Sequence, residues 1–445
     1  MITEACFLTQ PDVNKDAAVR ALSLAIMQPA ISGDDVKTFQ RLHTLLRQLF
    51  PLVFSYGSVE TVDGGALLIH LPGRQSARSI VFCAHLDVVS AGDPGRWTHP
   101  PFAGRVVNGF VYGRGAADMK GHLIALLSAA EGLFREGWQP ASDIWFAFSC
   151  DEETRGGSMA AMARILQSRG IRPVFVLDEG GNVSHPFALC RQDAAYVGVC
   201  EKGRLLFTLR CEGERAMERL ARSAVRIGRI RPRVRLCGPV TDMMLPAMGP
   251  LMGRAPRLWM RYPHLFGHAL LMGLRRTPMG RAITQTQLSL WKQHGDALMR
   301  DVPTLHYSAS VLPGDETSKL LDRVKRSLQR TPIQLSVSVL EEPGAVSPAH
   351  GPSWDALTTA IQVHFPGTAI VPCLLAGGTD SRRMELICKN VYRFSPFILP
   401  PEELARIPLP TAMRAARKVM ESKAREASGI KKSSLTENNG DYQRK

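Results

Sequence analysis

Residues 79–181 carry four polar motifs in succession, three of them at the end of an apolar run. The runs are residues 80–84 (IVFCA), 144–149 (IWFAFS) and 174–177 (VFVL). Each is short and almost wholly apolar, the pattern of a strand covered on both faces in a parallel sheet. Between them, residues 121–135 and 158–169 repeat their apolar positions at helical spacing. Strands alternating with helices predict a doubly wound α/β sheet, because parallel neighbours need a crossover and a helix supplies it. Such a sheet binds its ligands outside the carboxyl ends of its strands. His85, Glu152, Glu153 and Asp178 all fall there.

The first motif, HLDVV, holds His85 and Asp87, and the second, GRGAADMKG, holds Asp118. The third, CDEE, holds Asp151, Glu152 and Glu153, and the fourth, LDEGG, holds Asp178 and Glu179. One such motif alone is an ordinary acidic loop; four in order predict a site. Carboxylates gathered at one place repel each other unless a cation neutralises them. One histidine with several carboxylates suits zinc, with cobalt or manganese as alternatives. Asp87 lies two residues after His85, on the same face of a strand, where it can hold the second ring nitrogen. Glu152 and Glu153 can divide the labour, one as a ligand and one as general base for a metal-bound water.

Taken together, HLDVV, WTHPPFAGRVVNGFVYGRGAADMKG, DEE and LDEGG, with GGTDSRRMELICKNVYRFSP near the carboxyl end, resemble the aminoacylase/carboxypeptidase S type of di-zinc metallopeptidases. The resemblance runs from about residue 18 to about residue 406. It implies a zinc-peptidase-like doubly wound mixed sheet with an inserted α+β lid that also dimerises. It implies His85, Asp118 and Asp178 as ligands of one zinc, Asp118 as the bridge, and Glu153 as a ligand of the second. Glu152 is then the general base, and a cis peptide follows Asp118. Arg382 would hold a substrate carboxylate or form a structural salt bridge.

Four positions depart from that pattern. Pro408 stands near the expected last zinc histidine, and CEGERAMERLAR lacks a Gly-His-Ser-Ser segment of the lid. ALMRDVP lacks a substrate-binding asparagine, and no arginine stands among Tyr307, Ser308, Ala309, Ser310 and Val311 before LPGD. The second zinc keeps Glu153 and Asp118, with His306, His350 and His364 left as histidines to complete it. One or two metals per chain are expected.

The remaining chain divides around this centre. Residues 1–202 read as the first part of the catalytic metal-binding domain and 203–341 as the inserted lid and dimerisation domain. Residues 342–425 read as the second part of the catalytic domain, with a helix over 412–425, and 426–445 as a disordered basic polar tail. Nine scattered cysteines without a CxxC pair read as free thiols of a reducing compartment. The first residues lack a signal-peptide pattern, which predicts a cytoplasmic protein. No apolar run reaches the ~18 residues of a membrane span.

The net charge is +15, and arginine is dense over residues 204–235 and 254–281. Such a balance reads as an anionic partner or, more commonly, as a solvated basic surface. No nucleic-acid motif is present, so nucleic acid is not expected as a partner. The segment LWMRYPHLFGHALLMGLRRTPMG reads as a buried lid helix or a homodimer contact, with peripheral membrane contact as the rarer reading. The whole predicts a metal-dependent hydrolase of amide bonds in small peptides, dipeptides or N-acyl amino acids. The four departures define the competing reading, an impaired homologue that binds or regulates.

Overall fold

The three apolar runs lie side by side in the middle of one eight-stranded mixed sheet. The computed structural model describes residues 5–7, 13–154, 156–184, 192–290, 302–329 and 331–398. In chain order the strands begin β1 (Ala5–Phe7), β2 (Ser58–Val62), β3 (Ala66–Leu71), β4 (Gln75–His85), β5 (Arg105–Val107), β6 (Phe110–Tyr112), β7 (Ser142–Ser149) and β8 (Phe175–Ser184). They continue with β9 (Ala194–Glu201), β10 (Gly203–Arg210), β11 (Gln287–Leu290), β12 (Thr304–Val311), β13 (Gln334–Glu341), β14 (Ala369–Leu375) and β15 (Val391–Ile398). The large sheet has the order β14-β9-β15-β8-β4-β7-β3-β2. β4 pairs in parallel with β7 and β8, β8 with β15, and β9 with β14. β3 and β2 close one edge antiparallel.

β7 buries every one of its residues, so the sheet must be covered on both faces. Alternation along β4 divides the work. Ile80, Phe82 and Ala84 face a core built with α1 (Val13–Ile26), α2 (Val36–Leu49), α3 (Pro51–Tyr56) and α4 (Lys120–Arg135). Val81 and Cys83 face Met159, Met162 and Leu166 of α5 (Gly157–Ser168). The buried Lys120 joins two of these helices. Its Nζ donates to the carbonyls of Ala25 (3.0 Å), Gln28 and Pro29 (3.2 Å), which α1 leaves open at its carboxyl end.

After β9 the chain leaves this layer. It forms the lid, an antiparallel sheet of order β11-β12-β10-β13. Leu205, Phe207 and Leu209 of β10 meet Leu220 of α6 (Ala216–Gly228) and Val324 of α11 (Thr317–Leu328). Between α6 and β11 runs a helical stretch: α7 (Leu245–Met248), α8 (Arg254–Arg261), α9 (Pro263–Leu274) and α10 (Pro278–Thr284). Its apolar side packs on Val371, Cys373 and Leu374 of β14. The chain then rejoins the first layer, where α12 (Pro352–His364) adds Leu357 and Ile361 to the main core. The molecule is a mixed α/β fold with an inserted α+β lid domain. The expectations for Pro408, for a helix over 412–425 and for the tail lie outside the described residues, as does most of ALMRDVP.

Candidate metal centre

The polar motifs meet where the parallel strands end. His85 is the last residue of β4, Glu152 and Glu153 follow the end of β7, Glu179 lies within β8, and Asp118 stands in the turn before α4. The ring of His85 is fixed from behind. Its Nδ1 donates to the Asp87 carbonyl at 2.9 Å, with Asp87 Oδ1 at 3.4 Å. That leaves Nε2 facing forward, 3.0 Å from Asp118 Oδ1 and 3.6 Å from Glu179 Oε1. The ligand atoms of His85, Asp118 and Glu179 lie within 4.8 Å of one another, and so do those of His85, Glu152 and Glu153.

Asp87 is the hub beneath them. It is fully buried and accepts from Ser32 Oγ at 2.5 Å and from the amides of Glu152 and Glu153 at 3.3 Å each. One carboxylate therefore sets the imidazole and both adjacent glutamates. Asp151, beside them in sequence, has a different task. Its carboxylate accepts the amides of Gly157 (2.8 Å) and Ser158 (3.1 Å), tying the loop to the start of α5. The Asp118–Met119 peptide is cis, as the resemblance implied.

The electrostatics follow from crowding in a dry place. Burial pushes the Glu152 carboxyl up to about 9, and Asp380, Glu153 and Asp118 add to it. Burial and Asp118 push Glu153 up to about 7. Glu179 is raised well above the usual carboxylate range, by burial and then by Asp118. Burial alone would lower the His85 pKa; the Asp118 and Asp87 carboxylates outweigh it and raise it well above the ordinary value. Acids that hold protons because they are buried and face each other are the setting a divalent cation reverses. One outward imidazole nitrogen with several carboxylate oxygens is also a donor set for zinc, cobalt or manganese. The residues fit such an ion.

A cavity of about 360 Å³ opens in front of the cluster. Asp118, Glu152, Glu153 and Glu179 form its acidic wall. Lys202, where the chain enters the lid, and Arg204 and Ser310 of the lid strands line it as well. A family model described as Peptidase family M20/M25/M40 matches residues 81–408, a span that contains every residue of the cluster.

The chain belongs to this family.

M20 peptidases are metal-dependent hydrolases, in keeping with the donor set. Among relatives, the chain is 28% identical over 390 residues to a probable carboxypeptidase S-like 2 of Dictyostelium discoideum, covering 83% of this chain and 74% of that protein. It is 29% identical over 424 residues to an N-fatty-acyl-amino acid synthase/hydrolase of Xenopus tropicalis, covering 87% and 80%. Two solved structures share the fold. The M20 metallo-carboxypeptidase Sso-CP2 of Sulfolobus solfataricus superposes with a TM-score of 0.66 at 14% identity, covering 93% of this chain and 99% of that one. Human carnosine dipeptidase 1 does so with 0.64 at 15% identity, covering 94% and 98%.

Within this M20 fold, Asp178 and Arg382 make contacts that differ from those expected. Asp178 is turned away from the cluster: its Oδ2 accepts the Ser381 amide at 2.8 Å in the buried layer behind. Glu179, one residue on, has its Oε1 3.6 Å from His85 Nε2 and belongs to the group of His85 and Asp118. Gly180 makes the adjoining path possible, since a side chain there would meet Arg393 Cβ at 2.8 Å. Arg382 is not among the residues that line the cavity in front of the cluster. Its Nε and Nη2 donate to Glu201 Oε2 at 3.2 and 3.1 Å. It also donates to the carbonyls of Lys202 (2.5 Å) and Glu342 (2.9 Å), the residues where the chain enters and leaves the lid. These are the contacts of a structural salt bridge.

None of the spare histidines joins the cluster. His306 bonds Thr208 Oγ1 at 3.0 Å across the lid sheet, and His350 and His364 are in neither ligand group. His122 is buried edge-on to Phe397, and burial lowers it to about 4. Sequence reasoning missed Arg204 and Lys202. The available signal was EKGR at the composition break, where Lys202 and Arg204 are two apart and share one face of an extended chain.

Proposed function

We propose that this protein is a metal-dependent amide hydrolase whose substrates carry a free carboxylate next to the scissile amide: small peptides cut at the carboxyl end, or N-acyl amino acids. One observation carries the reading. The acidic cluster and Arg204 line one and the same cavity. Arg204 makes no ion pair among the described residues, unlike Arg382, whose carboxylate partner is Glu201. Arg204 is also the cross-strand partner of Ser310, inside the stretch where the resemblance asks for an arginine. An arginine on the adjacent strand thus offers the bidentate carboxylate contact that the expected one would have made. A carboxypeptidase and an N-acyl amino acid hydrolase both cut an amide that borders such a carboxylate, which agrees with the names of the relatives.

His85, Asp118 and Glu179 would hold one metal, with Glu153 and the shared Asp118 available to a second. When bound, the metal supplies a Lewis acid for the carbonyl oxygen and acidifies the attacking water. Glu152 takes a proton from that water as its oxygen bonds to the carbonyl carbon, and returns a proton to the amine nitrogen as the C–N bond breaks. Asp87 holds the His85 tautomer and both glutamate amides through this exchange. Arg204 holds the substrate carboxylate so that the amide lies over the cluster.

Metal content and turnover test the reading together, on N-acyl amino acids beside matched N-acyl amines that lack the carboxylate. The expected result is metal in both the natural chain and Glu152→Gln, hydrolysis in the natural chain alone, and preference for the carboxylate-bearing substrate that Arg204→Ala removes. Metal-loaded protein that cleaves nothing would point instead to an impaired homologue with a binding or regulatory role.

A further inference from the structure

Away from the cavity, α8 and α9 leave an apolar surface open. On their inner side Met260, Pro263 and Leu270 are buried, and Met260 and Leu270 pack with Leu245, Met248 and Leu251. On their outer side Leu258, Leu265 and Met272 are 50%, 79% and 54% exposed, with Trp259 and Tyr262 beside them. Leu265, Ala269 and Met272 are spaced four and three apart, so they form one outward stripe. A surface helix ordinarily turns polar residues to that side. α9 has none that are charged: no Asp, Glu, Lys or Arg occurs from Pro263 to Leu274. The expectation of a buried lid helix is therefore met on one side only.

Charge borders the stripe. Arg254, Arg257 and Arg261 lie on α8, Arg275 and Arg276 just after α9, and Arg281 on α10. All six are exposed, and none forms an ion pair among the described residues. No Asp or Glu occurs from residue 243 to residue 295; Asp242, 3.3 Å from His264, marks the edge of the region.

We propose that α8 and α9 dock this protein on a bilayer surface that carries anionic phospholipid. A second copy of the chain is a poor occupant, because a two-fold contact would set arginines against arginines. A lipid surface matches every part: acyl chains for Leu258, Leu265 and Met272, the headgroup level for Trp259 and Tyr262, and phosphates for the arginines. The region is fastened to the cavity wall. Lys202 Nζ donates to the carbonyls of Ala282 and Gln285 at 2.8 Å each, so docking would set the orientation of the cavity toward the lipid. This inference does not depend on the hydrolase reading.

Vesicle flotation of the full chain tests it, with phosphatidylcholine alone and with roughly one third phosphatidylserine, at low and high salt. Binding is expected only to the anionic vesicles, and it weakens as salt rises. Replacing Arg275 and Arg276 by Gln should lower the partition about 25-fold, from about fivefold per arginine. Leu265→Asp should lower it at least about tenfold. Both sites are exposed, so unchanged circular dichroism and melting temperature are the folding control. Absence of binding to anionic vesicles, equal binding to neutral ones, or variants that float like the natural chain would overturn the proposal. So would a dimer in solution that Leu265→Asp dissociates, since the face would then be a subunit contact.

Discussion

The acidic cluster at the ends of β4, β7 and β8 and the arginine-bordered face of α8 and α9 concentrate charge by opposite means. The cluster gathers carboxylates at the ends of rigid strands, where burial and their neighbours raise the pKa of Glu152, Glu153 and Glu179. The basic face spreads its charge in solvent, where arginines cost little and repel weakly. A chain of net charge +15 thus keeps an acidic pocket. Overall composition reports the outside of this molecule; only motif order reports the inside. A third arrangement lies between them. Arg393 is fully buried and charged, held by Glu201 Oε1 at 2.8 Å and Glu385 Oε1 at 2.9 Å.

The comparison can be broken most forcefully at the cluster. Glu152→Gln should lower kcat by roughly 100- to 10,000-fold, the range of a lost general base, with little change in melting temperature. Next comes the buried ion network. Glu201→Gln leaves Arg393 and Arg382 short of a partner and should destabilise the fold by about 3–5 kcal/mol, read by denaturant unfolding. Metal removal should come third. Dialysis against a chelator should abolish turnover and lower the melting temperature, and a metal present at a hundredfold its dissociation constant should restore about 2.7 kcal/mol. Arg204→Ala should raise KM by about 10- to 100-fold with kcat nearly kept, as expected for a lost bond to a charged group worth about 1.5–3 kcal/mol. The smallest effect belongs to the basic face: Arg275→Gln should change folding stability by less than about 0.5 kcal/mol.

Much of this was legible in the chain, for physical reasons that differ from residue to residue. β4 and β7 could be read because a strand covered on both faces must be apolar throughout. The same property hid the choice between Asp178 and Glu179. With no polar face to fix the parity of β8, either neighbour could have pointed at His85. The two readings of Arg382 could not be separated either, because its partner Glu201 lies far off in sequence and the pair exists only once β9 is beside the 377–382 loop. Arg204 is hidden for the converse reason: its distinction is the lack of an ion pair among the described residues, which only a folded neighbourhood can reveal. The α9 stripe was noticed, and its helical period is real, but period alone does not say which side is covered.

Arg382 fastens both crossings of the lid, at Lys202 and at Glu342, and shares Glu201 with Arg393. A lid joined by two separate strands could sag on either one. Here one guanidinium ties both strands, with Arg383 bonded to Glu341 beside it. That tie belongs to the loop that grips Asp178 through Ser381, so lid and cluster share one anchor. Wear at position 382 would be felt as looseness of the entire lid, and the first thing to lose its aim would be Arg204.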